Sequence, residues 1–232
     1  MAIFRFSRLA ILAILFSAAL AMSASATLVW SSAIGGLPTG VSYVNFDDVA
    51  LGNAAATSGG IAITFDGNAE AVQGTSWMAY AAPFLSNNNG VPFGDSSNGE
   101  DETTYLSAGN SSISLALGSD ANYLGLLWGS VDDFNSISFY SGSTLVGSLT
   151  GLDVSATADG DQGLNGTYYV NIYSTVAFDT VVLASGKNSF EVDNVAFTLA
   201  DHNPIVPEPA SLALIGIGIS GFAMLRRRSR KG

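Results

Sequence analysis

The sequence predicts an all-β fold, a β-sandwich of jelly-roll type, preceded by a signal peptide and followed by one short transmembrane helix. Three observations carry that expectation. Apolar and polar residues alternate with a period of two in several segments, among them Ile113-Ser114-Leu115-Ala116-Leu117 and Tyr168-Tyr169-Val170-Asn171-Ile172-Tyr173. Clusters of Gly, Ser, Asn and Asp separate those segments and read as turns. Helical periodicity is confined to two apolar runs, one toward each end.

At the N-terminus, Arg5 and Arg8 precede an apolar run over residues 9–20, and Ala24-Ser25-Ala26 follows it. Basic, apolar and small-x-small regions in that order read as a secretory signal peptide, residues 1–26, with Ala24 and Ala26 directing signal peptidase to cut after Ala26. A run of about twelve residues is too short to span a hydrocarbon core of roughly 30 Å.

Residues 27–200 are long enough for one domain with a sizeable core. Strands are expected at residues 41–46, 61–65, 113–117, 123–128, 137–139, 145–149, 168–173, 176–183 and 190–199, which at this spacing make a sandwich. Residues 86–102, rich in Asn, Gly, Ser and acids, read as a long exposed loop. In the last strand Phe190 and Val192 share one parity, whereas Val195, Phe197 and Leu199 share the other. That phase switch predicts a β-bulge at Asp193-Asn194. First and last strands often pair in sandwiches, which sets the acidic pair Asp47-Asp48 near this bulge.

Residues 201–209 form a linker ending in Val206-Pro207-Glu208-Pro209, residues 210–225 an uncharged apolar run, and residues 226–232 a tail with Arg226, Arg227, Arg228, Arg230 and Lys231. Pro207 and Pro209 forbid helix and hold the chain extended, with Glu208 displayed between them. The apolar run reads as a transmembrane helix of about 24 Å, shorter than the bilayer core, and so suited to a temporary hold. The basic tail stays cytoplasmic by the positive-inside rule, which places residues 27–209 beyond the inner membrane.

Charge agrees with that division. The chain has net charge −11, and all 19 acids lie between Asp47 and Glu208 with Lys187 the only Lys or Arg among them. Such an excess argues against nucleic acid and anionic lipid as partners and favours solubility, divalent cations or a charged extracellular matrix. The chain contains no cysteine, so no disulfide staples it in the oxidising compartment.

The Pro-Glu-Pro motif, short hydrophobic helix and Arg-rich tail together resemble the PEP-CTERM sorting signal of Gram-negative bacteria. The resemblance implies an exosortase-type membrane enzyme as processing partner, with Val206, Pro207, Glu208 and Pro209 as its substrate site, and Arg226, Arg227, Arg228, Arg230 and Lys231 as the stop-transfer tail. It implies a protein exported through the inner membrane, anchored there transiently, then released or transferred to the cell surface. The body carries a second resemblance: Trp128-Gly129-Ser130-Val131-Asp132-Asp133-Phe134-Asn135 with Ile137-Ser138-Phe139-Tyr140, together with Asn45-Phe46-Asp47-Asp48 and Phe190-Glu191-Val192-Asp193-Asn194-Val195, is similar to a pattern in one subset of exosortase-dependent surface proteins. That subset implies no particular reaction.

Chemistry within the body is sparse. Asp47, Asp48, Asp193 and Asn194 are hard oxygen donors for a structural calcium ion where the terminal strands meet; the alternative for Asp193 and Asn194 is backbone hydrogen bonding around the bulge. The loop Asp159-Gly160-Asp161-Gln162-Gly163-Leu164-Asn165-Gly166 places oxygens as a calcium loop does, but Val170 stands where the closing glutamate belongs, so a polar turn is expected. Trp77, in an irregular stretch before the long loop, is the candidate aromatic platform for carbohydrate, while Trp128 continues the parity of Leu124 and Leu126 and belongs to the core. With His202 alone in the linker and no cysteine, most catalytic triads are excluded. Carboxylate pairs remain, Asp132-Asp133 or Glu100-Asp101-Glu102, although adjacency in sequence does not set the separation that glycoside hydrolysis needs. The expected function is a non-catalytic surface or matrix protein, structural or adhesive; the alternative is a calcium-dependent carbohydrate-binding module acting on extracellular polysaccharide.

Overall fold

Alternation persists through residues 112–117 and then gives way to a nearly continuous apolar run at 123–128, and the change of pattern marks a change of environment along one strand. The structure, a computed structural model, describes residues 27–38, 42–87, 89–90 and 98–199. The signal peptide, the Pro-Glu-Pro segment, the apolar run 210–225 and the basic tail lie outside the described residues. Among the described residues no helix is long and apolar enough to cross a membrane.

In chain order the strands are β1 (Leu28–Ala33), β2 (Ser42–Val44), β3 (Ala56–Ser58), β4 (Ile61–Phe65), β5 (Glu70–Gln73), β6 (Phe84–Leu85) and β7 (Gly99–Glu100). They continue with β8 (Thr104–Ser107), β9 (Ser112–Gly129), β10 (Asn135–Ser141) and β11 (Thr144–Thr150). One helical turn, α1 (Gly151–Val154), precedes β12 (Tyr168–Ser185) and β13 (Glu191–Leu199). The described part is therefore all-β, as its alternation predicts.

Two pairs of expected strands are each one strand. Residues 113–117 and 123–128 join in β9, and residues 168–173 and 176–183 join in β12, each 18 residues long. The polar stretch Gly118-Ser119-Asp120, which has the composition of a turn, is instead the outside of a bend. Gly118 takes φ 72°, a conformation open to glycine at no steric cost, and the β12 register slips opposite it between Tyr173 and Thr180.

The bend sends the two halves of each long strand to different neighbours. Before it, β9 lies between β4 and the far half of β12, which continues outward to β10 and β11. After it, β9 lies between the near half of β12, edged by β1, and β13, which carries β2 and β8. The result is one hydrogen-bonded sheet of eleven strands among the described residues, with its two central strands shared by both halves, in place of the two separate sheets of a jelly roll. Ile63, Leu115, Phe139 and Val181 from one half and Leu124, Trp128, Val170 and Val192 from the other form a single core. Trp128 is fully buried and stacks on Phe190 at 4.3 Å between ring centroids.

The bulge expected at Asp193-Asn194 is present. Asp193 pairs with Leu127 and Ala196 with Gly125, so Asn194 and Val195 together face Leu126, and Asn194 takes φ 48°. An asparagine tolerates this left-handed conformation better than most residues. The expected strand around residues 41–46 does pair with the last strand, through β2 and residues Val195–Phe197 of β13.

The second half of the sheet is covered on its outer face too, which explains why alternation disappears there. Leu127 and Tyr169 pack with Leu85. Tyr123 donates to Asn171 Oδ1 at 2.7 Å and Tyr169 donates to the Asn194 carbonyl at 3.0 Å, so the phenols are satisfied although both residues are buried. Between them Gly125 leaves the space: a Cβ there would stand 2.4 Å from the Tyr123 hydroxyl and 2.9 Å from that of Tyr169. We expect Gly125→Ala to destabilise the domain by about 1–3 kcal/mol through overpacking of rigid rings, read as a lower denaturation midpoint with an unchanged denaturant slope.

Candidate functional site

Glu191, the first residue of β13, lies between Phe190 and Val192 of the core parity, so alternation assigns its side chain to the opposite face, which in an uncovered sheet is solvent. Here that face is covered. Glu191 pairs in the ladder with Gly129 and Ser107, is 1 % exposed, and accepts hydrogen bonds from the Ala81 amide at 3.0 Å and from the Ser130 hydroxyl. Burial outweighs those bonds and pushes its carboxyl up to about 7.

The bond to Ala81 fastens the loop that precedes it. Ser76 and Tyr80 face each other across a tight turn, with the Ser76 amide donating to Tyr80 and the Tyr80 amide donating back. Asn188 Nδ2 donates to the Met78 carbonyl at 3.0 Å, and the Tyr105 hydroxyl donates to the Gly74 carbonyl. Thr75 links the loop to Glu100 through its hydroxyl and accepts the Ala82 amide. The tip of this braced turn carries Trp77 and Met78, 89 % and 79 % exposed. The candidate platform residue therefore stands in solvent, while Trp128 lies in the core as its parity predicts.

Beside the turn lies a small open depression of about 70 Å³ lined by Ser76, Met78, Asp132, Gln162, Asn188 and Glu191, among others. Asp132 reaches it from the connection between β9 and β10. The loop 158–166 folds onto that connection, with the Val131 amide donating to the Gly166 carbonyl, the Asp133 amide to Ala158 and the Gly160 amide to Val131. Partial burial, reinforced by Asp133 and Asp159 and opposed by Lys187, raises the Asp132 carboxyl to about 6. Asn135 donates to the Ser189 carbonyl at 3.1 Å and accepts from Ser185, so the segments 128–135 and 188–195 are tied into one arrangement.

The remaining acids have other engagements. Asp47 accepts from Asn45 and from the Thr104 amide, and Asp48 accepts from Ser58; both are exposed. Asp193 is fully buried in β13, and Asn194 donates from Nδ2 to the Asn89 carbonyl. Among the described residues no group of three or more His, Cys, Asp or Glu is spaced to hold a metal ion. In the loop 159–166 the Asp161 carboxylate accepts the Gly163 amide, the geometry of a polar turn. Asp101 is buried and accepts both the amide and the hydroxyl of Thr103.

Sequence reasoning singled out Asp132 but missed Glu191 as its neighbour in the depression. The available signal was the acid at a strand start, opposite Gly129 and so one residue from Trp128 in pairing register, and that register is a product of the fold. The sorting residues Val206, Pro207, Glu208 and Pro209, the tail residues and the cleavage residues Ala24 and Ala26 lie outside the described residues.

A family model described as the PEP-CTERM protein-sorting motif matches residues 206–228. No curated protein and no solved structure matches the chain. The matched motif marks exosortase cargo: a protein exported, held transiently in the membrane and released toward the surface.

The raised carboxyl of Glu191 makes stability depend on pH. Unfolded, the group ionises near 4.5, whereas folded it holds its proton to about 7, so the folded state binds more protons in between. Its contribution is complete below about pH 4.5 and lost as pH rises through about 7, on the order of 3 kcal/mol in all. Asp132 acts with the same sign, from 3.8 to about 6. We expect the melting temperature to fall from pH 4.5 to pH 7.5 and the fall to shrink in Glu191→Gln; parallel profiles for the two proteins would show that Glu191 ionises normally.

Proposed function

We propose that this chain is a secreted surface or extracellular-matrix protein of a Gram-negative cell, processed by exosortase, whose β domain has a structural or adhesive role and no catalytic one. The observation that carries the reading is the sorting motif at residues 206–228. Its parts work together physically. Pro207 and Pro209 hold an extended segment just outside the bilayer, the form a protease-type cleft binds along its backbone. The short apolar run keeps that segment at membrane depth only as long as the basic tail holds it, and the acid-rich body, with Lys187 its one Lys or Arg, stays soluble once freed.

A second reading, a carbohydrate-binding module toward extracellular polysaccharide, is favoured by Trp77, which the braced turn presents to solvent.

Sorting is tested by Glu208→Ala and by removal of residues 226–231. Both variants are expected to remain in the inner membrane with residues 206–225 still attached, while the wild-type surface form is lighter by the discarded segment. Mass spectrometry of the surface fraction decides: variants that reach the surface with the wild-type mass would refute exosortase processing.

A further inference from the structure

Exposure of a large aromatic side chain on a loop that is otherwise tightly braced calls for an explanation. Trp77 and Met78 are held outward by five backbone or side-chain hydrogen-bonding groups, those of Ser76, Tyr80, Ala79, Asn188 and Thr75. Glu191, itself 1 % exposed, anchors the base of the same loop through Ala81 while lining the depression beside it. Hydrogen bonding fixes the backbone of this turn, and the residues on either side of Trp77, Ser76 and Met78, line a polar recess, so the exposed indole is carried beside that recess on a braced support.

The lining decides the occupant. Asp132 contributes a carboxyl, Ser76 a hydroxyl, and Gln162 and Asn188 amides, while the buried Glu191 carboxyl and the Ser130 and Ser189 hydroxyls are engaged within the protein. The neighbouring cation, Lys187, lies 4.7 Å from the Phe134 ring centroid and is absent from the lining. The recess is thus rich in acceptors and carries negative potential, deepened at Asp132 by Asp133 and Asp159 and partly offset there by Lys187. A ligand suited to it brings many hydroxyl donors, no anionic groups, and an apolar face for Trp77. Those are the properties of a pyranose ring, whose C–H face stacks on indole while its hydroxyls reach carboxyls and amides.

We propose that Trp77, Asp132 and the recess closed by Glu191 form a binding site for an uncharged, hydroxyl-bearing glycan chain. The site rests on the carbohydrate-binding reading above and deepens it by narrowing the ligand to neutral chains and naming contact residues, and it stands or falls separately from the sorting step. Uronate-bearing polymers are excluded by the acids of the recess, and binding of a neutral chain is insensitive to salt, because screening acts on charge pairs.

The test uses the purified full-length chain in a detergent without a sugar headgroup, titrated against a panel of neutral hexose oligosaccharides of different linkage, a uronate oligomer and an oligolysine peptide. We expect at least one neutral oligosaccharide to bind with an affinity unchanged between low and high salt. Trp77→Ala is expected to weaken it about tenfold or more while melting as wild type does at pH 7.5, and Asp132→Asn to weaken it about fivefold while melting no lower than wild type, because it removes a carboxylate that burial makes costly to ionise. Because Trp77 is exposed, its removal leaves the fold intact, and Tyr173→Ala, at a partly exposed tyrosine of β12, serves as a second aromatic control that leaves binding unchanged. Failure of every neutral oligosaccharide to bind, equal binding by Trp77→Ala, or tighter binding of oligolysine would each overturn the proposal. None of those results bears on the mass of the surface form, so the sorting reading is judged independently.

Discussion

Two strands of 18 residues, β9 and β12, lie against each other on both sides of a shared bend, and nearly every other feature of the domain follows from having to accommodate them. A strand that serves two sheet halves changes its neighbours at the bend, so its pattern of side chains changes with it. Before the bend, Ile113, Leu115 and Leu117 face the core and the intervening residues are more open. After it, residues from Tyr123 to Gly129 are buried on both faces. Burial of that second face forces the local solutions seen around it: a glycine at 125 to admit two phenols, an Asn194 bulge whose carbonyl accepts one of them, and a covering segment that brings Leu85 onto Leu127 and Tyr169.

The same cover buries Glu191. A carboxyl without water is costly to ionise, and here it keeps two hydrogen bonds, to Ala81 and Ser130, that no apolar residue of similar size supplies. Those bonds join three parts of the chain distant in sequence: the loop carrying Trp77, the segment after β9, and the start of β13. Asn135 adds a parallel tie from the β9–β10 connection to Ser189. The motif-like segments 128–135 and 190–195 therefore interlock structurally, and their joint arrangement holds the exposed turn in place.

Delivery and cargo are chemically distinct in this chain. The sorting motif, residues 206–228, combines an apolar run with positive charge, whereas the residues before it hold all but one of the acids, Glu208, and Lys187 is the one Lys or Arg among those acids. Lys and Arg beside an apolar run are what orient a translocating chain, and an acidic body resists collapse onto anionic lipid. The recess beside Trp77 belongs to the body and is indifferent to how the body arrives.

Much of this was legible in the residues themselves. Period-two alternation located β4 and β10, because each has one face on the core and one more open, and the apolar parity of β13 located that strand although both its faces are buried. The parity switch at Asp193-Asn194 located the bulge, since a single inserted residue exchanges the faces of a strand, and parity also placed Trp128 inside. The order of proline, apolar run and arginines identified the sorting motif, because membrane insertion reads composition and order without tertiary contacts. Other features were decided only by the fold. Gly118-Ser119-Asp120 has the composition of a turn whether it ends a strand or bends one, and the choice depends on whether β12 bends opposite it. Short β5 and β8 have too few residues to show a period, and Glu191 sits at a position that alternation assigns to solvent until a loop from 110 residues earlier closes over it. Local pattern determined the strands, the bulge and the address, since those depend on neighbours along the chain; the shared bend, the buried acid and the recess at Trp77 depend on neighbours across it, and only the tertiary structure supplies them.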